Sequence, residues 1–337
     1  MKSLALTKSS NRRLLFRISC VLACMLLLLL SPATALTGAA HGLVLWYRTL
    51  FPTLMPFMVL SNFIVYTGCA RPIGIVLTPL TRLLGLPQSA GYCIITGFLC
   101  GYPMGAYVCG NLNETGELDD DTAAFLAPLC NNVSPMFMIS YICMSCLGDR
   151  KYSAAVVALL MLSAVLALAV IGIVRRFLIN NNKNNEKNMG KQVIHGSSPA
   201  GDGQKVLSTS KAITRSVEGA LMASLKLCIY VMLFSIAGAM IDRIYFLPEI
   251  ARAALMSLME ITAGLDKIAK LDIAFEYRFF MMLTFTAFGG MSSVLQTMSL
   301  WSGKHFDIAK YIVCKLAVTL VTALAVLLVV VVGFGLL

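Results

Sequence analysis

Cys100-Gly101-Tyr102-Pro103-Met104-Gly105 interrupts an apolar run that extends over roughly 89–112. Proline lacks a backbone N–H and glycine lowers helix stability, so these six residues predict a helix that breaks. The flanking residues are apolar enough for a bilayer interior. There, the backbone groups freed by a break must be met by protein, water or a ligand. The break is therefore a candidate binding site; a proline kink with close helix packing is the alternative. Composition places the run in a membrane. Of 337 residues, 58% are hydrophobic and 13% charged, and mean hydropathy is +0.81. Soluble domains carry about 25% charged residues, and the apolar content excludes disorder. With about 20 apolar residues per spanning helix, an all-α polytopic membrane protein of about 8 transmembrane helices is expected.

The net charge of +11 invites a nucleic-acid ligand, but its distribution argues against one. Lys2, Lys8, Arg12, Arg13 and Arg17 precede the first apolar run with no acid among them. Arg175, Arg176, Lys183, Lys187, Lys191, Lys205, Lys211 and Arg215 share a second stretch with only Glu186 and Asp202. Basic clusters beside hydrophobic spans mark cytoplasmic segments, and these lack the regular aromatic interleaving that stacks on nucleobases. Four regions follow: a basic N-terminal segment with a first transmembrane helix (1–36), a first membrane repeat plus an extra helix (43–174), a basic disordered cytoplasmic loop (175–216) and a second membrane repeat (217–337). The N-terminal region also resembles a signal peptide, with Ala33-Thr34-Ala35 as its cleavage site. Either way, residues 37–42 fall on the outer side.

Three more interruptions carry polar groups into apolar runs. Asn131-Asn132-Val133-Ser134-Pro135 brings two amides and a hydroxyl, which are expensive at mid-membrane unless partnered. A helix restarting near Pro135 aims its positive end at an anion; polar packing between helices is the alternative. Glu260-Ile261-Thr262-Ala263-Gly264 lies in a piece too short to cross easily. It suits the tip of a re-entrant hairpin or, alternatively, an interfacial amphipathic helix. Gly289-Gly290-Met291-Ser292-Ser293 breaks the next segment, with Gln296 one turn later. The expected solute-lining residues are Gly101, Tyr102, Pro103, Met104, Gly105, Asn131, Asn132, Ser134, Thr262, Gly289, Gly290, Ser292, Ser293 and Gln296, with Glu260 as the coupling group. Lys226 either snorkels to the cytoplasmic side or serves as a counter-charge to an anion or Glu260. Lys310 and Lys315, near the start of the last span, are expected to snorkel.

The two halves share an order of elements, and their interruptions match within two residues: Gly101, Met104 and Gly116 against Gly290, Ser293 and Gly303. Paired interrupted segments point to a transporter site. With 1–17 and 177–216 both cytoplasmic, an even number of crossings separates them. Residues 72–112 then form a re-entrant excursion or two crossings, and the repeats are inverted. This leaves Arg243, Arg252, Lys267, Lys270 and Arg278 outside, against the usual charge bias.

Several chemistries have no support. There is no GxxxxGK[ST] loop and no HExxH motif. His41, His195 and His305 are dispersed, and no nucleophile–base pair marks an enzyme. No cofactor or metal is expected. Most of the eleven cysteines lie in apolar runs as small hydrophobes, and the CxxC of Cys143 and Cys146 has no second pair. The residues alone support a multi-pass cell-membrane protein with a mid-membrane site for a small polar or anionic solute. Its expected partners are that solute and the lipid bilayer, without nucleic acid, and with homo-oligomerisation left open.

Leu50-Phe51-Pro52-Thr53-Leu54-Met55-Pro56-Phe57, Gly101-Tyr102-Pro103-Met104-Gly105-Ala106, Asn131-Asn132-Val133-Ser134-Pro135-Met136-Phe137, Glu260-Ile261-Thr262-Ala263-Gly264 and Phe288-Gly289-Gly290-Met291-Ser292 together carry a resemblance. In that order they resemble the YlbJ-like sporulation integral membrane proteins of the wider nucleoside-recognition (Gate domain) group, over residues 37–320 or so. Two departures stand out: Asn131-Asn132-Val133 replaces a more Thr/Ser-rich run, and Lys226 replaces an uncharged polar residue. The resemblance implies a role in endospore formation, moving a small carboxylate such as dipicolinate across a spore-surrounding membrane. It also implies an architecture similar to the concentrative nucleoside transporters, with inverted repeats that each hold a re-entrant hairpin and a broken helix. A nucleoside-type solute transporter and a non-transporting scaffold of the spore envelope are the alternatives.

Overall fold

The computed structural model describes residues 14–15, 18–19, 21–23, 25–188, 207–301 and 306–334. Every regular element among them is helical. Five helices are long and apolar enough to cross a membrane, or seven if each of two sharply bent pairs is one span. The chain is a multi-pass membrane protein. Among the described residues these candidate spans number five to seven, against about eight expected over the whole chain.

The first half begins with α1 (Pro32–Leu45), which passes through a π-helical turn (Trp46–Leu50) into α2 (Phe51–Tyr66). The short helices α3 (Ala70–Gly74) and α4 (Thr78–Leu84) then turn aside by 107°. Next, α5 (Ser89–Cys100) and α6 (Met104–Glu114) form a hairpin: Ser89 Oγ donates to the Glu117 carbonyl at 3.1 Å, closing the open end. Helix α7 (Asp120–Cys130) and α8 (Pro135–Phe137), which continues as π-helix over Met138–Cys146, make one span broken at 131–134. Long α9 (Ser153–Asn188) ends the half.

The second half opens on long α10 (Thr209–Asp242). Helices α11 (Glu249–Met259) and α12 (Ile261–Ala269) form a second hairpin, with Gly264 closed onto Ser257 across the tip. Helices α13 (Phe275–Phe288) and α14 (Gly290–Leu300) make a span broken at Gly289, and α15 (Ile308–Phe334) is last. Both halves thus run helix, hairpin, broken span, helix, except that the first inserts α3 and α4 before its hairpin.

Local chemistry fixes these boundaries. Asp119 caps α7 by accepting from the Thr122 amide at 2.8 Å, and Asp120 and Asp121 place negative charge in its first turn. Ser134 caps α8 and Pro135 occupies its first position. Gly289 and Gly290 both have positive φ, at 84° and 77°, which ends α13 and re-aims the chain into α14. In the first hairpin Gly97 and Gly105 face each other, and both press onto the Cys130 carbonyl. Small residues at such crossings let backbones approach closely within a membrane.

Helix α10 sets the hairpins' directions. Near its N-terminal end the Ser216 carbonyl accepts from Asn62 Nδ2 at 3.2 Å, and Asn62 Oδ1 accepts from Asn111 near the open end of the first hairpin. At its C-terminal end Asp242 pairs with Lys267, near the open end of the second hairpin, at 2.8 Å. The two hairpins open toward opposite ends of α10.

Two expectations change. The register that matched Gly101 to Gly290 joins unlike elements, a hairpin tip and a break inside a span; spacing does not reveal whether a break reverses the chain. The loop at 175–216 is narrower than expected, since α9 runs to Asn188 and α10 starts at Thr209. Extending a nucleated helix costs little, even through an Asn-rich run. Of the basic residues assigned outside, Lys267 pairs with Asp242, Lys270 pairs with Asp266 and Arg278 donates to the Ala269 carbonyl, while Arg252 meets Asp242 only at 3.9 Å. Lys2, Lys8, Arg12, Arg13, Arg17, Lys191, His195, Asp202, Lys205, Gly303 and His305 lie outside the described residues.

Candidate functional site

The hairpin tips and the two breaks meet. At the first tip Gly101 has φ +80°, and a Cβ there would lie 2.6 Å from the Ser134 amide nitrogen in the break of the α7–α8 span. The adjoining Tyr102–Pro103 bond is cis. The Tyr102 ring crosses to the other half, where a Cβ at Gly289 would lie 3.1 Å from Tyr102 Cε1. Gly290 in turn packs on the Met259 carbonyl at the second tip; a Cβ there would lie 3.1 Å from that oxygen. Tyr141 donates to the Thr262 carbonyl at 2.7 Å, tying α12 to the π-helix of the first half.

Asn131, in the first break, is tied by hydrogen bonds to α14 and α15. Its Nδ2 donates to Thr297 Oγ1 at 2.8 Å and to Tyr311 OH at 2.5 Å. Its backbone carbonyl accepts from Lys315 Nζ at 2.6 Å. Lys315 is completely buried, and no carboxylate among the described residues pairs with it. An ammonium has three donors, and one is used here. A buried cation without a counter-charge is among the costliest features a membrane protein can carry. Two further buried polar atoms nearby have no partner, Asn131 Oδ1 and Tyr102 OH.

The other expected residues divide. Gly101, Tyr102, Asn131, Ser134, Thr262, Gly289 and Gly290 lie at the meeting of tips and breaks. Ser292, Ser293 and Gln296 follow on α14, buried but internally bonded: Gln296 Nε2 donates to Ser292 Oγ at 2.7 Å and Ser293 Oγ to the Gly290 carbonyl at 2.9 Å. Asn132 turns back to the Leu129 carbonyl at 2.7 Å. Pro103, Met104 and Gly105 pack the first hairpin; Met104 joins Met58 and Leu227 in an apolar cluster. Lys226 is exposed and donates to the Ser299 carbonyl at 3.1 Å, so it takes no part in the convergence.

The expected snorkelling of Lys315 is wrong: its side chain points into the protein. Tyr311, Lys315, Thr319 and Thr322 stand at helical spacing in an apolar span, a polar stripe that could have marked the buried face. Thr297 and Tyr141 carried no such signal.

Glu260 is buried, and its carboxylate caps α12, accepting from the Thr262 and Ala263 amides at 2.9 and 2.8 Å. Both oxygens are therefore committed to the tip. Glu260→Ala is expected to lower stability by about 1 kcal/mol, the usual loss of a cap, and Glu260→Gln by less, since one amide oxygen remains. Thermal unfolding in detergent checks the order. Among the described residues, no group of three or more His, Cys, Asp or Glu side chains is placed to hold a metal.

Comparison with known proteins reaches one part of the chain. It is similar there to a sporulation membrane protein. Over 108 residues the chain is 29% identical to the sporulation integral membrane protein YlbJ of Bacillus subtilis (strain 168), covering 32% of this chain and 26% of that relative. The match thus spans about a quarter of the relative's length. No family model matches the chain, and no solved structure matches it.

Proposed function

We propose that this chain is a secondary transporter for a small organic anion and that it acts during sporulation. The observation that carries the substrate class is Lys315, a buried cation without a carboxylate that donates into the break of the α7–α8 span. A carboxylate or similar anion supplies the missing counter-charge, and the spare donors of Lys315 with the unpartnered Asn131 amide and Tyr102 hydroxyl supply directional contacts. A nucleoside, being neutral, leaves the ammonium uncompensated. The sporulation role follows the printed name of the relative, and dipicolinate is the first solute to test.

Hairpins that open toward opposite ends of α10 support inverted repeats and alternating access around a fixed central site. Glu260 suits the coupling role. Its carboxylate holds the Thr262 and Ala263 amides at the second tip, so a coupling cation that engages this carboxylate competes with those contacts and frees the hairpin. No catalytic step is assigned to any residue.

Complementation tests the assignment. In a spore-forming host lacking its own copy, the wild-type chain is expected to restore spore dipicolinate, while Lys315→Gln and Asn131→Leu, expressed at equal levels, are not. Full restoration by both variants contradicts solute recognition at this site and favours a scaffold.

A further inference from the structure

A cavity of about 540 Å³ opens at the C-terminal end of α10, away from the mid-membrane breaks. Its size falls within the usual range for small-ligand sites. Its charges do not cancel: Arg243, Arg252 and Lys267 line it against Asp242 and Glu249. Asp242 is taken up by Lys267 at 2.8 Å and meets Arg252 only at 3.9 Å.

Arg252 is the centre of the site. Its side chain is only 10% exposed. Nη1 donates to the Asp242 carbonyl at 2.8 Å, Nη2 reaches Glu249 only at 3.5 Å, and Nε is buried with no partner. Arg243 is exposed at the rim and makes no ion pair among the described residues. From α1, Thr34 contributes to the lining; it is 6% exposed and its Oγ1 also lacks a partner. A guanidinium buried with its Nε–H unpaired and its Nη2 held only at 3.5 Å is costly unless an acceptor completes it. An oxyanion supplies that acceptor together with the missing negative charge.

We infer that this cavity is a second binding site, specific for a compact oxyanion, a carboxylate or a phosphate. It does not depend on transport through the mid-membrane site. Arg252 holds the oxyanion, Arg243 adds charge at the entrance, Thr34 donates from the facing wall, and the remaining volume takes the organic part. The same chemistry is presented by a free solute or by an anionic lipid headgroup.

Thermal unfolding of the purified full chain in neutral detergent tests this. The probes are sodium succinate, sodium phosphate and a short-chain phosphatidylglycerol, with sodium chloride at matched ionic strength. At about ten times Kd, an oxyanion is expected to raise Tm by about 3 °C. Arg252→Gln should abolish the rise and Arg243→Gln should weaken it at least threefold in concentration dependence, while Lys315→Gln retains it. Arg243 is exposed, so its variant keeps the test valid if the Arg252 variant does not fold. A rise with succinate or phosphate assigns a free solute, and a rise with the lipid alone assigns a headgroup. An equal rise with chloride, or oxyanion stabilisation untouched by Arg243→Gln, overturns the site.

Discussion

Lys315→Gln is expected to weaken solute binding by at least about 30-fold while leaving the fold as stable as before. The two halves of that result come from different energies. Truncating one partner of a buried charge pair costs about 2–5 kcal/mol of binding, and each 1.4 kcal/mol is a factor of ten. Stability in the absence of solute responds otherwise. Removing an uncompensated buried charge contributes about 1–4 kcal/mol to the folded state. Leaving the Asn131 carbonyl without its donor offsets about 1–3 kcal/mol of that. The two ranges offset each other to within about 2–3 kcal/mol, so no large loss of stability is expected. A lysine kept only for structure behaves in the opposite way, losing stability when truncated. Equilibrium binding and thermal unfolding on the same preparation separate the two.

Gly101→Ala is expected to be strongly damaging, through backbone strain and a clash together. The residue has φ +80° and ψ −174°, a region open essentially to glycine alone. Forcing another residue there costs about 1–3 kcal/mol. The new methyl also meets the Ser134 amide nitrogen at 2.6 Å, with the Ser134 Cβ at 2.8 Å behind it, so backbone must move. Overpacking of this kind adds about 1–3 kcal/mol. Gly116 provides the control, because it also has φ +80° but a Cβ there meets nothing within 4 Å. Gly116→Ala should therefore cost only the conformational term, about 1–2 kcal/mol. A clearly larger loss of Tm and of transport for Gly101→Ala checks that the tip and the break are fitted to each other. Equal losses for the two contradict it.

The interruptions were legible in the sequence because their costs are local. Glycine, proline and paired asparagines inside apolar runs are unfavourable at each position, whatever surrounds them. That is why Gly101, Asn131, Glu260 and Gly289 could be picked out without knowing what they touch. What they do in the fold depends on tertiary packing, which local cost does not encode. Gly101 turns the chain back whereas Gly289 lets it continue, and the first outcome rests on Gly97 and Gly105 closing on the Cys130 carbonyl. The two lysines show the same limit. Lys226 lies deep in an apolar run yet faces outward, and Lys315, within snorkelling distance of its helix start, faces Asn131. The polar stripe of Tyr311, Lys315, Thr319 and Thr322 hints at the difference, and the contact across 184 positions of sequence establishes it.

Uptake by sealed proteoliposomes is the most direct test of anion transport through this site. Wild-type protein is expected to accumulate labelled dipicolinate but not a labelled nucleoside. Lys315→Gln should reduce that flux at least about 30-fold, in line with its loss of binding. Glu260→Gln should leave downhill exchange in place and abolish its response to an imposed cation gradient. Dipicolinate flux that Lys315→Gln leaves unchanged, or a flux of nucleoside alone, contradicts a small-anion transporter built around Lys315.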